Sequence, residues 1–157
     1  MGIAGSCAIP FVHRAVLFDL DGTITDSAPI ITQCFAETME KLSGWDYSPD
    51  FYSKSVGPPL RDSFAEMVAM GDSVDTARYA AETVALSHVD DDVVDTYVRQ
   101  YREFYFERML GTPCFPGMDA LLRRLHAAGV PMVVATSKRV DAATILLEHV
   151  GLADVFL

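Results

Sequence analysis

The chain has 157 residues, half of them hydrophobic, and a formal net charge of −10. That length and apolar content suit one ordinary domain, or one small domain plus part of another, and argue against general disorder. The acidic balance argues against a general nucleic-acid binder or acidic-membrane binder, and no apolar run approaches the ~20 residues of a membrane-spanning helix.

The opening "MGIAGSCAIPFVH" lacks a basic stretch followed by a sustained apolar one, so it does not read as a secretory signal. Cys7, Cys34 and Cys114 are widely spaced, with no C-x-x-C pair. That usage fits a reducing, cytoplasmic setting better than a disulfide framework. "AVLFDL" then forms a short apolar run without alternation, ending at Gly22. It predicts a central parallel strand buried on both faces. Asp26 or Ser27 can cap the helix that follows, and Pro29 suits its first turn. Ile30, Ile31, Cys34, Phe35, Met39 and Leu42 make its apolar face, and Gly44 ends it.

"SVGPPL" reads as a loop, because Pro58 and Pro59 break regular structure. "LRDSFAEMVAM" and "SVDTARYAAETVAL" predict two further helices. In the next helix, Asp90 to Asp92 stand where the helix dipole favours negative charge. Val94, Tyr97, Tyr101, Phe104 and Tyr105 form its stripe, read as helix packing. "GTPCFPG" is a linker. Beyond it come a helix stopped at Gly129, a second buried strand "VPMVVATS", a helix stopped at Gly151, and "ADVFL" as the start of a third strand.

The outer pieces alternate β and α, as in a doubly wound parallel sheet. The predicted division is a Rossmann-like core of residues 13–24 and 111–157, with an inserted all-helical cap of residues 25–110. In such sheets the reactive groups lie beyond the carboxyl ends of the strands. Asp19 and Asp21 stand there on the first strand, and Thr136, Ser137 and Lys138 on the second. Alternation turns Asp19 and Asp21 toward one side of the rim, and Gly22 lets the backbone turn sharply. Two carboxylates, a hydroxyl and a lysine make a phosphoryl-transfer set. One carboxylate attacks phosphorus, the other moves the proton, and the hydroxyl and ammonium neutralise the transferring oxygens. Magnesium suits such a site, since it takes one or two carboxylates, substrate phosphate and water. Thr136 and Ser137 can instead cap the helix that follows, and Lys138 can be an ordinary surface lysine. Arg61 can reach from the cap to a substrate anion, or be a solvated arginine at a helix start. His13, His88, His126 and His149 lack metal-ligand spacing.

"DLDGT", a helical insert and "VVATSK" together resemble the haloacid dehalogenase superfamily of phosphohydrolases. The position of the insert is similar to the phosphoglycolate phosphatase-like branch. The resemblance implies an α/β fold with an incomplete parallel-sheet core and a helical cap. It makes Asp19 the nucleophile and a magnesium ligand, and Asp21 the acid/base, with its backbone carbonyl also on the metal. It makes Thr136 a holder of the phosphoryl group, with Ser137 and Lys138 beside it. Gly22 and Thr23 shape the phosphate-facing turn. An aspartate at position 21 favours phosphate over dehalogenase chemistry.

The family's later lysine motif and acidic motif have no match here. A fragment is therefore expected, with its sheet completed by a partner chain or a dimer. The implied activity is a magnesium-dependent phosphatase for a small phosphorylated metabolite, phosphoglycolate-like or nucleotide-like. The alternatives are a phosphomutase of the same fold and a truncated, non-catalytic binding or regulatory fragment.

Overall fold

A computed structural model describes residues 15–71 and 89–157. Cys7, His13, His88 and the helix expected over 73–86 lie outside the described residues. In chain order the elements are β1 (Val16–Phe18), α1 (Ala28–Ser43), α2 (Pro49–Lys54), α3 (Leu60–Gly71), α4 (Asp91–Arg108), α5 (Met118–Ala127), β2 (Met132–Val134) and α6 (Val140–His149). Short 3₁₀ turns occupy Met109–Gly111 and Ala153–Val155.

β1 and β2 pair in parallel, with Val16 opposite Met132 and Phe18 opposite Val134. The crossover between parallel strands has to be long, and here it carries α1 to α5. The expectation that β1 is buried on both faces does not hold. Met132 is buried, whereas Leu17 is 68% exposed and Val133, opposite it, is also exposed. Side chains alternate across a strand, so among the described residues helices cover only one face of this pair. The expected start of a third strand comes only at the end of "ADVFL", where Phe156 is extended. Leu152 and Val155 tuck into the core and draw the chain into a 3₁₀ turn. Only Leu157 reaches strand-like pairing, donating its N–H to the carbonyl of Met132 at 2.9 Å.

The helical insert has its own aromatic core. Phe64 is fully buried, with ring centroids at 5.3 Å from Phe35, 5.7 Å from Tyr97 and 5.8 Å from Tyr101. The expected stripe of α4 is shifted slightly. Val98 is buried, while Phe104 is half-buried beneath Lys41 and Arg108, whose cations lie over its ring. On α1, Leu42 is exposed and Thr38 takes a buried place instead. The Thr38 hydroxyl is satisfied by the Cys34 carbonyl at 2.6 Å. α2 was missed because it is only six residues long, too short for a periodic signal. Its marks are Ser48, whose Oγ accepts from the Phe51 N–H, and Pro49 in the first turn.

The two chain crossovers between sheet and insert are paired with each other. Thr25 bridges Cys114, the Asp26 N–H donates to the Pro113 carbonyl at 2.9 Å, and the Phe115 N–H donates to the Ile24 carbonyl at 3.0 Å. Ser27 occupies the N-cap position of α1 without capping it. Its backbone is in the helical region rather than the extended one a cap requires, and its hydroxyl is buried without a hydrogen-bond partner.

Candidate active site

The turn after β1 is built around Leu20. Its side chain is fully buried, and its carbonyl accepts from the N–H groups of Ile24 and Thr25 and from the Thr25 hydroxyl, at 3.0, 3.0 and 3.1 Å. β1 itself ends at Phe18, and in the turn that follows Leu20 is buried while Asp19 and Asp21 on either side of it stay outside the core. Gly22 closes the turn at φ +78°, with its N–H on the Thr25 carbonyl.

Asp19 and Asp21 both line a cavity of about 200 Å³ between this rim and the helical insert. Thr136, Ser137, Lys138 and Arg139 line it from the end of β2. The insert contributes the Ser55–Leu60 loop, Phe35, Tyr101, Arg102, Tyr105 and Phe106. Residues separated by more than a hundred positions thus meet because β1 and β2 are adjacent and parallel.

Asp19 is exposed, and its Oδ1 accepts the Leu20 N–H at 2.7 Å. Asp21 is more enclosed. Its Oδ2 lies 2.9 Å from Lys138 Nζ, and its Oδ1 is buried without a hydrogen-bond partner. The Lys138 side chain is only 9% exposed. Nζ also donates to the Tyr105 hydroxyl at 2.7 Å and sits 4.2 Å from the centre of that ring. Thr136 Oγ1 accepts the Lys138 N–H at 3.1 Å. Neither Thr136 nor Ser137 caps α6, whose N-cap is Arg139, so the helix-capping alternative does not apply to them.

Four expected binding residues lie elsewhere or act differently. Arg61 is not at this cavity; it pairs with Asp91 at 2.8 Å and with Asp95, on the surface of α4. A guanidinium held by two carboxylates on its own helical layer has little charge left to offer a ligand. Gly22 and Thr23 shape the turn and do not line the cavity. Lys138 faces the cavity, but its ammonium is engaged by Asp21 and Tyr105.

Sequence reading missed Arg102, Tyr105 and Phe106. Arg102 lines the cavity and has no ion-pair or hydrogen-bond partner among the described residues. The available signal was the helical spacing of Tyr101, Arg102, Tyr105 and Phe106, which puts all four on neighbouring faces of α4. Burial pushes the Tyr105 hydroxyl up from its usual range and the Tyr101 hydroxyl well above it, so both remain protonated at neutral pH.

The Asp19 carboxylate and the Asp21 backbone carbonyl are hard oxygen donors of the kind magnesium takes, which leaves the Asp21 carboxylate for proton transfer. Among the described residues no cluster of three or more His, Cys, Asp or Glu forms around them.

Residues 16–157 match the family model for haloacid dehalogenase-like hydrolase. The chain is 32% identical over 145 residues to phosphoglycolate phosphatase of Rhodospirillum rubrum, covering 90% of this chain and 55% of that protein. It is also 32% identical over 144 residues to the tyrosine-protein kinase PtkA of Mycobacterium tuberculosis, covering 91% of this chain and 42% of that protein. A predicted phosphatase from Clostridium acetobutylicum shares the fold with a TM-score of 0.72 at 32% identity, over 92% of this chain and 58% of that one. The chain thus spans about half the length of the relatives it matches. The small parallel sheet and helical cap are those of an α/β, Rossmann-like fold, and the chain belongs to the haloacid dehalogenase-like hydrolase family.

Proposed function

We propose that this chain carries the nucleophile half of a magnesium-dependent phosphatase acting on a small phosphomonoester, phosphoglycolate-like or nucleotide-like. One observation carries the reading: Asp19 and Asp21 flank a buried leucine and open on the same cavity as Thr136 and Lys138.

In this reading an Asp19 carboxylate oxygen attacks phosphorus, and Asp21 gives a proton to the departing alkoxide. Asp21 then takes a proton from water as that water attacks the aspartyl phosphate, releasing phosphate and restoring Asp19. Thr136 and the backbone beside it hold the non-bridging oxygens, and Arg102 supplies a cation at the cavity wall. Asp19 and Asp21 would hold magnesium, which when bound neutralises charge on the phosphoryl oxygens.

Residues 25–110 act as the cap, and the paired crossovers at 24–26 and 113–115 are its hinge. The cap excludes bulk water when it lies over Asp19. Among the described residues β1 pairs with β2 alone, and its other edge supports completion of the sheet by a partner chain or a dimer. The free thiols of Cys34 and Cys114 support a cytoplasmic setting.

The test is phosphate release from a generic aryl phosphate, with and without magnesium. Release that needs magnesium and is abolished in Asp19→Asn is the expected result. Turnover that survives Asp19→Asn refutes the nucleophile assignment. Transfer of phosphate to a second substrate hydroxyl, without release, identifies a mutase instead.

A further inference from the structure

Lys138 connects two parts of the molecule that are distant in sequence. Its backbone is pinned at the end of β2 by the Thr136 hydroxyl, and its side chain is almost wholly buried. Its ammonium spans from Asp21 Oδ2, at 2.9 Å, to the Tyr105 hydroxyl, at 2.7 Å. Tyr105 is itself fixed. It is buried, and its ring stacks on Tyr101 with the planes 8° apart and the centroids 5.9 Å apart.

An ammonium has three N–H donors and no lone pair, so it can bridge two oxygens but cannot accept from either. The bridge divides the labour of the Asp21 carboxylate. Oδ2 is occupied by the ion pair, while Oδ1 is buried with no hydrogen-bond partner. The ion pair thus fixes which carboxylate oxygen is turned toward Lys138 and which is left without a partner.

We propose that Tyr105 is a positioning residue of the cap, which orients the Asp21 carboxylate through Lys138. This assignment rests on the phosphatase reading for the role of Asp21. It moves Lys138 from a substrate contact to a relay, and Tyr105 from packing to function.

The test reads kcat and KM separately in the protein, with an aryl phosphate as substrate. Tyr105→Phe keeps the ring and removes one oxygen. It is expected to lower kcat about 5- to 10-fold, the size of one hydrogen bond to a charged group, with KM within about twofold. Lys138→Met is expected to lower kcat more, on the order of 100-fold. Tyr105→Phe is expected to add nothing in that background, and Lys138→Arg to recover part of the loss. A rise in KM with kcat unchanged makes Lys138 a substrate anchor and overturns the proposal. Unchanged kcat in Tyr105→Phe, whatever happens to stability, also overturns it.

A second measurement does not need activity. Asp21→Asn and Tyr105→Phe should shift the urea midpoint of the 157-residue chain non-additively, and should become additive once Lys138 is Met. Additivity in both backgrounds refutes the relay. Coupling without any phosphate release leaves the relay standing and refutes the phosphatase reading.

Discussion

Replacing Gly22 by alanine separates two roles that a glycine can have after a strand. Gly22 has φ +78°, and a Cβ built there meets nothing within 4 Å. There is therefore no steric term, and the cost is conformational: about 1–2 kcal/mol for an L-residue in the left-handed region. Gly44 is the internal control. It has φ +72°, equally open surroundings, and lies at the end of α1, away from the cavity. With a urea m-value of roughly 2 kcal/mol/M, both Gly→Ala variants should lose about 0.5–1 M in midpoint. Asparagine, which tolerates this region, should lose less at either site. The two should diverge in function. Gly22→Ala strains the turn that holds Asp21, so phosphate release should fall by about 10-fold, while Gly44→Ala should leave it unchanged. A loss above ~3 kcal/mol in Gly22→Ala alone would show that the position needs space, not a positive φ. Equal activity in the two variants would show that the turn does not set the carboxylates.

Phe64→Ala should cost about 3–5 kcal/mol in chemical denaturation, since it empties a fully buried site among three aromatic rings. A loss under ~1 kcal/mol would mean that the insert's core is not packed as described. Arg61→Ala should leave KM unchanged and cost under ~1 kcal/mol, because its partners Asp91 and Asp95 are exposed. Arg102→Ala should raise KM on the order of tenfold, the loss of one charge-assisted contact, and an unchanged KM removes it from the site. Burial pushes the Cys34 thiol up from 9.0 to about 11, so in the folded state it holds its proton where the unfolded chain loses it. Stability should be unaffected by this group below pH 9 and should fall as pH rises from 9 toward 11, and Cys34→Ser should remove that alkaline component.

Much of the site was legible because its chemistry is local. "AVLFDLDGT" puts an apolar run, two carboxylates and a glycine into a few positions, and the spacing of two leaves both aspartates outside the core with Leu20 buried between them. The alternating β and α pattern outside residues 25–110 likewise reflects local periodicity, and so do the helix stops at Gly44, Gly129 and Gly151. Other features depend on which surfaces meet. Tyr105 looks like any aromatic in a buried stripe until α4 is seated against the end of β2, where its hydroxyl finds Lys138. Arg61 and Arg102 both belong to cap helices, and composition cannot rank them. Two aspartates claim Arg61 and the cavity includes Arg102. The one-sided burial of β1 is equally invisible in "AVLFDL", because a strand's own residues do not say whether a second helical layer covers them. Local pattern fixes where backbone turns and which side chains alternate. Ion pairs, shared cavities and uncovered faces arise only when elements far apart in the chain are brought within a few ångströms.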